Sequence, residues 1–219
     1  MICVSNLICD FPDGDGTVIR ALSVPAFQME QGGVCALTGP SGSGKSTFLH
    51  CLAGLLKPTE GTLSINGVDV PSLSEQEAAR WRSAHVGYVF QKSLLLPWLT
   101  VMENILLAAS LSGKSGKEKE ADEWLSAVGL DGYGRRRPDH LSGGEQQRVS
   151  FVRAVIGEPD LILADEPTAS LDKGNSAHLM KLLLDYQKSS GCTLLCATHD
   201  PSVQALFPQQ YALQKGGVQ

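Results

Sequence analysis

Gly39-Pro40-Ser41-Gly42-Ser43-Gly44-Lys45-Ser46-Thr47 has the G-x-x-x-x-G-K-[ST] spacing of a phosphate-binding loop. Val34-Cys35-Ala36-Leu37-Thr38 ahead of it is apolar and β-prone and reads as a buried strand. Phe48 to Ala53 behind it runs on as a helix, expected to start near Gly44 and to end near Leu56. The glycines let backbone N–H groups curl inward around a phosphate. The positive end of the helix points at the same place. Lys45 adds a mobile cation for the β- and γ-phosphates of a nucleotide. The Ser46 hydroxyl is a hard oxygen ligand suited to Mg²⁺, and the hydroxyl and N–H of Thr47 reach for the α-phosphate. For this stretch alone, the plain alternative is a Gly/Ser-rich turn that happens to hold a lysine.

Outward from the loop, the N-terminal side (residues 1–38) reads as short strands, with Asp13-Gly14-Asp15-Gly16 as a turn between two of them. Phe11, just before that turn, is either an adenine-stacking face or a core or edge aromatic. On the other side, Thr62 to Ile65, Asn66-Gly67 and Val68 to Val70 form a hairpin. Ser74-x-x-Glu77 is a capping box opening a helix through Trp81, and Thr100-x-x-Glu103 opens another that continues through Ile105 to Leu111. Val86 to Phe90 is an apolar strand ending at Gln91. Residues 112–120 start polar and flexible and lead into a helix through Val128. Arg135-Arg136-Arg137 reads as a solvated loop. The stretch 93–155 is mostly helical and stands between β-rich halves.

Leu161 to Glu166 is a buried strand ending in two carboxylates. Asn175 to Lys188 is an amphipathic helix, and Thr193 to Ala197 a further strand leading to Thr198-His199-Asp200. Strands alternating with helices imply a mainly parallel sheet, with ligand chemistry at the carboxyl ends of its strands. The phosphate loop, Gln91, Asp165-Glu166 and His199 all stand at such ends. Triphosphate hydrolysis needs a metal, charge neutralisation and a placed water. Asp165 can hold Mg²⁺, Glu166 can orient or deprotonate the water, Gln91 can hydrogen-bond water and metal shell, and His199 can donate to the γ-phosphate. Taken singly, each has a structural alternative: a strand cap, a satisfied histidine, a solvated turn before Pro167.

Leu141-Ser142-Gly143-Gly144-Glu145-Gln146 opens a long helix through Val155, with Ser142 as N-cap and Glu145 completing a capping box. Its glycine-flanked end is a second anion-seeking helix terminus, so the chain suggests a site shared between two copies.

The whole-chain totals exclude several classes. The 219 residues fit one α/β domain with a subdomain, and 42% hydrophobic content suffices for a core. A net charge of −5 argues against a broad nucleic-acid surface or direct binding to anionic lipid. No apolar run reaches membrane-span length, and Met1-Ile2-Cys3-Val4 lacks a signal-peptide n-region, so a cytosolic chain is expected. The six cysteines hold no C-x-x-C pair. Cys192 and Cys196, read as sharing one strand about 13 Å apart, are too far apart for a disulfide. Reduced, buried thiols are expected.

Together these stretches resemble the nucleotide-binding subunit of an ABC transporter over essentially the whole length. Gly39 to Thr47 matches the Walker A loop, Gln91 the Q-loop, and Leu141 to Gln146 the signature motif. Leu161 to Glu166 matches Walker B, with Glu166 as the catalytic carboxylate. Ser170-Leu171-Asp172 resembles the D-loop and His199 the switch histidine. Phe11 falls where the family places its adenine-stacking aromatic, more commonly a tyrosine. The resemblance implies a P-loop NTPase α/β fold with an N-terminal antiparallel β subdomain. It divides a single ABC ATPase domain into a catalytic core (1–92 and 156–219) and an inserted helical subdomain (93–155). It implies ATP and Mg²⁺ as cofactors, with Lys45, Gln91, Glu166 and His199 catalytic and Ser46, Gln91 and Asp165 around the metal. Nucleotide would lie between Gly39 to Thr47 and Phe11 of one copy and Ser142, Gly143, Gly144 and Glu145 of a second. The partner implied is a membrane permease, which holds the chain at the inner face of the membrane.

Leu163 to Thr168 and Gln146-Gln147-Arg148 resemble the lipoprotein-releasing and macrolide-export type. Leu94 to Thr100 resembles partly that group and partly nitrate or sulfonate importers. The chain ends about twenty residues after His199, which by the resemblance leaves out the regulatory C-terminal domain of some importers. The export or mechanotransmission type is favoured. An importer ATPase and a regulatory ATPase of cell-division type are the alternatives. A DNA-repair ATPase head would need a coiled-coil insertion or zinc cysteines, and a small-molecule kinase would not need Leu141 to Gln146.

Overall fold

The computed structural model describes residues 1–14 and 16–214. In chain order its elements are β1 (Ile2–Pro12), β2 (Val18–Met29), β3 (Val34–Thr38), α1 (Lys45–Leu52), β4 (Glu60–Ile65), β5 (Val68–Asp69), α2 (Glu75–His85), β6 (Val86–Val89), α3 (Val101–Leu111), α4 (Glu118–Ala127), α5 (Gly143–Val155), β7 (Leu161–Asp165), α6 (Lys173–Ser190), β8 (Thr193–Ala197), α7 (Pro201–Gln204) and β9 (Gln209–Ala212). They fall into two compact units: Met1–Arg82 with the chain from Thr193 onward, and Ser83–Cys192.

In the first unit an antiparallel sheet runs β2-β1-β4-β5. Its first two strands are 11 and 12 residues long, where the sequence suggested short ones. The reason is a slip in the alternation: Ile2 and Val4 are buried, then Leu7 and Cys9. Asn6 absorbs the slip at φ 46, in the left-handed region that asparagine tolerates. Pairing with β4 shifts at the same place, from Ser5 opposite Thr62 to Ile8 opposite Glu60. A β-bulge therefore continues the strand that a phase change would otherwise end. A Cβ on Gly61 would lie 2.2 Å from the Asn6 carbonyl oxygen, so only glycine fits opposite the bulge. Asp15, in the expected turn, lies outside the described residues. Beside it, the Asp13 N–H donates to the Thr17 carbonyl at 2.8 Å.

The same unit holds β3 between β8 and β9, all parallel. Phe48, Leu49 and Leu52 bury the inner face of α1, each contributing about 1.5–3 kcal/mol. Phe27 meets Phe48 and Tyr211 edge to face, with ring centroids 5.4 and 5.0 Å away. The helix ends at Leu52 rather than near Leu56, because Gly54 turns left-handed (φ 62) and the N–H groups of Leu55 and Leu56 fold back on the His50 carbonyl.

In the second unit β6 and β7 pair in parallel, from Val86 opposite Leu161 to Val89 opposite Ala164. This pairing makes the unit wider than the helical stretch 93–155. Trp124 on α4 lies edge-on to Phe151 of α5 and Tyr186 of α6, at 5.7 and 5.8 Å. Arg136 stacks over the Tyr133 ring at 3.6 Å, while its neighbours Arg135 and Arg137 are exposed.

All six cysteines are free thiols; five are buried and Cys3 is half-buried. Cys192 does not share a strand with Cys196. It closes the second unit, its carbonyl accepting from Gln187 Nε2 at 3.0 Å, and β8 begins one residue later. The sulfurs that do approach each other are those of Cys9 and Cys51, 3.3 Å apart. Among the described residues, no helix is long and apolar enough to cross a membrane.

Candidate functional site

The phosphate loop stands between β3 and α1. Gly39, Gly42 and Gly44 take φ of 141, 76 and 90, conformations closed to most side chains. Space excludes a side chain as well: a Cβ on Gly39 would lie 2.6 Å from Ser43 Oγ, and one on Gly44 2.5 Å from the Ala21 carbonyl oxygen. The loop is thus a bare-backbone cradle, and the first-turn N–H groups of α1 have no intrahelical acceptor. Lys45 is only 9% exposed, and its Nζ donates to the Gly39 and Pro40 carbonyls at 2.8 and 3.1 Å. It makes no ion pair among the described residues. Ser43 Oγ is buried with no hydrogen-bond partner. A buried cation on neutral acceptors, beside an orphaned hydroxyl, suits an anionic phosphate oxygen. Ser46 and Thr47 are half-buried on the first turn of α1. The cradle therefore fits a nucleotide phosphate, with Ser46 available to a hard cation.

Two further residues of this unit were expected at the site. His199 is exposed, just past β8, and Thr198 before it is anchored through its N–H to the Leu37 carbonyl at 3.1 Å. Phe11 stands on β1 opposite Ile19 and is 40% exposed, so it is not a core residue.

The second unit carries the carboxylates. β7 is buried along its whole length and ends in Asp165, and Glu166 follows at φ 44. Both side chains are buried. Left-handed backbone costs a glutamate energy and aims its side chain away from the strand direction, a form of strain that clusters at functional positions. Tyr88 on the neighbouring strand feels Asp165: burial first, then that charge, push its phenol above the ordinary range. Gln91 is exposed, just past the end of β6.

Ser142 to Glu145 forms the capped N-terminus of α5. The Ser142 hydroxyl accepts from the Glu145 N–H at 3.3 Å, and Glu145 Oε2 accepts from the Ser142 N–H at 2.7 Å. Bonds from Ser142 hold the Glu145 carboxyl below its usual range. The Glu145 side chain is thus turned back into the cap, while Gly143 and Gly144 leave backbone exposed or half-exposed. A cavity of about 380 Å³ opens here, bounded by Ser142 to Glu145 and Arg148 on one side and Ser170 to Asp172 on the other. Asp172 caps α6, accepting from the Asn175 N–H at 2.9 Å.

Asn104 and Arg153 carry no motif in the sequence, and Gln147, part of the Gln146-Gln147-Arg148 resemblance, gives no sign there of the bond it makes. Asn104 is 2% exposed and bonds the backbone of Leu96, Leu99 and Thr100. Gln147 and Arg153 reach from α5 to the carbonyls of Phe90, Ser93 and Leu94. Their targets are main-chain atoms, and for Gln147 and Arg153 they lie far away in sequence, so no motif spacing reveals them. Polar residues within the buried stretches of α3 and α5 were the available signal.

A bare-backbone phosphate cradle between a buried parallel strand and a helix defines a P-loop nucleotide-binding fold of the α/β class. The glycine-flanked second helix end narrows that class, and the chain belongs to the ABC transporter family, whose family model matches residues 22–169. It is 38% identical over 200 residues to the ABC transporter ATP-binding protein YtrE of Bacillus subtilis, covering 90% of this chain and 87% of that one. It is 40% identical over 201 residues to the lipoprotein-releasing system ATP-binding protein LolD of Hahella chejuensis, covering 91% and 86%. Among solved structures it resembles the dimeric, ADP- and Pi-bound post-hydrolysis state of the ATP-binding cassette MJ0796, with a TM-score of 0.93, 34% identity and coverage of 100% and 97%.

Proposed function

We propose that this chain binds and hydrolyses Mg²⁺–ATP as a pair of copies, and so drives a separate membrane protein of the export or force-transmission type. The observation that carries the reading is the Lys45 ammonium, buried in a glycine cradle and held, among the described residues, by the Gly39 and Pro40 carbonyls. Those neutral acceptors can be exchanged for β- and γ-phosphate oxygens at little cost. Gly39 to Thr47 binds the triphosphate, and Phe11 offers an exposed ring to the adenine. Ser46, Asp165 and Gln91 would hold Mg²⁺, which would supply neutralisation of the charge on the phosphates. Glu166 takes the proton of the attacking water as that water's oxygen bonds to the γ-phosphorus. The bond to the β–γ bridging oxygen breaks, and His199 donates a hydrogen bond to the γ-phosphate. Ser142 to Glu145 of the second copy closes over the same nucleotide through the backbone of Gly143 and Gly144. In this reading 1–92 and 156–219 are the catalytic core and 93–155 the helical subdomain.

Relatives named as lipoprotein-releasing ATP-binding proteins support the export or force-transmission reading. The docking surface is the loop after Gln91: Leu94 and Trp98 are 57% and 66% exposed, and Leu107 and Leu111 of α3 are exposed as well. Through that partner the chain works at the cytoplasmic face of the membrane.

Glu166→Gln tests the chemistry. It preserves shape and removes the base, so ATP binding should persist while turnover falls by roughly 10²–10⁴-fold. The variant should accumulate as an ATP-bound dimer on a sizing column, and near-normal turnover would remove Glu166 from the mechanism. The shared site is tested by mixing Lys45→Ala with Ser142→Arg, both in the Glu166→Gln background. Trapped ATP should appear only after mixing, at one or fewer per dimer. If crosslinked mixed dimers trap none, the two-copy site is wrong.

A further inference from the structure

Helix α5 grips the segment around Gln91 along its length. Gln147, 1% exposed, donates from Nε2 to the Phe90 carbonyl at 2.9 Å. Gln146 Oε1 accepts from Ser93 Oγ at 2.9 Å. Two turns further on, Arg153 donates from Nη1 to the Leu94 carbonyl at 2.8 Å and from Nη2 to the Ser93 carbonyl at 2.7 Å, with Ser150 Oγ a weaker contact at 3.4 Å.

Leu94 sits at φ 46, where a leucine Cβ crowds its own backbone. Apolar burial does not hold it there, since its side chain is largely exposed. The consecutive carbonyls of Ser93 and Leu94 instead converge on one planar guanidinium, whose fork matches a pair of acceptors as an ammonium cannot. Arg153 makes no ion pair among the described residues, and burial lowers its pKa. A cation is thus partly desolvated to hold main-chain oxygens.

Resting on the ATPase reading above, we propose that Arg153 is a positioning residue for Gln91. Its fork on the 93 and 94 carbonyls imposes the left-handed turn at Leu94 and ties the exit of the Gln91 loop to the helix that begins at Ser142. The geometry rather than the charge is what Arg153 supplies. A lysine should therefore not replace it, and a glycine at position 94 should make it dispensable.

The test compares Arg153→Lys, Leu94→Gly and the double variant in the full-length chain. It measures hydrogen–deuterium exchange across 91–96 and the Mg²⁺ concentration for half-maximal ATP hydrolysis. Arg153→Lys should raise exchange across 91–96 about tenfold, the scale of the left-handed penalty for a side chain. Exchange in β3 and α1 should stay as in the parent. The Mg²⁺ requirement should rise by roughly the same factor. In the Leu94→Gly background the same change should raise exchange at most about twofold, because glycine holds positive φ unaided. Unchanged exchange at 91–96, an unchanged Mg²⁺ requirement, or an equal effect in both backgrounds would overturn the proposal. If Arg153→Lys does not fold, the double variant must; failure of both also overturns it. A parent chain that does not hydrolyse ATP would defeat the ATPase reading instead, and the exchange comparison would still decide the role of Arg153.

Discussion

Asn104→Asp separates hydrogen-bond direction from shape. Asn104 Oδ1 accepts from the Leu96 N–H at 2.8 Å, and Nδ2 faces the carbonyls of Leu96, Leu99 and Thr100 at 3.1, 3.3 and 2.9 Å. The amide has two hydrogens, so it forms two good bonds shared among three acceptors. Aspartate keeps the accepting oxygen but turns the donor into a second acceptor aimed at those carbonyls. Losing two net hydrogen bonds costs about 1 kcal/mol each, and buried acceptors left facing one another add about 1–3 kcal/mol. The expected loss is about 3–5 kcal/mol at neutral pH, or roughly 6–20 °C in Tm for a chain of this size. Burial and the carbonyls raise the folded-state pKa of the new carboxyl above its unfolded value. The deficit should therefore be smallest below the unfolded value and grow as pH rises through the folded one. Urea unfolding read by fluorescence of Trp124, packed on Phe151 and Tyr186, follows the unit that contains Asn104. A loss below about 1 kcal/mol, or one that does not shrink in acid, would refute the argument. Asn104 organises the loop that presents Trp98, so on the proposed function this variant should also bind the proposed membrane partner more weakly while folded.

Gly44→Ala combines a left-handed φ of 90 with a Cβ 2.5 Å from the Ala21 carbonyl oxygen; ATP affinity should fall about 5–30-fold on the left-handed penalty alone, and equilibrium dialysis finding parent-like binding would contradict the cradle geometry. Lys114 at 2.6 Å, together with Lys117, holds the Glu158 carboxyl down from the usual 4.5 to about 2. That stabilisation is complete above pH 4.5 and is lost as pH falls toward 2. Because the carboxylate is half-exposed it is worth no more than about 1 kcal/mol, and Glu158→Gln should flatten the acid limb of the stability profile in that window. Replacing Trp98 and the half-buried Leu95 of the same loop with polar residues should abolish capture of the proposed membrane partner and spare ATP binding; a complex that survives on a pull-down places the docking surface elsewhere.

The features that the sequence alone determined are those whose partners lie within a few residues. The capping boxes at Ser74/Glu77, Thr100/Glu103 and Ser142/Glu145 all form as their spacing requires, because residues three apart at a helix start can exchange bonds in almost any surroundings. Asn66 and Gly67 turn at φ 50 and 83 between β4 and β5, as that pair does wherever two strands meet through it. The glycines of the phosphate loop likewise take positive φ. The tertiary structure decided whatever depends on chain segments meeting from afar. The bulge at Asn6 became visible only once β4 lay beside β1 and Gly61 opposite it. The thiols of Cys9 and Cys51, 42 residues apart, meet only because α1 packs on the sheet. Arg153 and Leu94 are 59 residues apart, and the bond between them ends on a main-chain oxygen that any residue would offer. Side-chain type and short spacing carry information about local bonds. A backbone carbonyl has no sequence signature, so which distant side chain reaches it is settled only by packing.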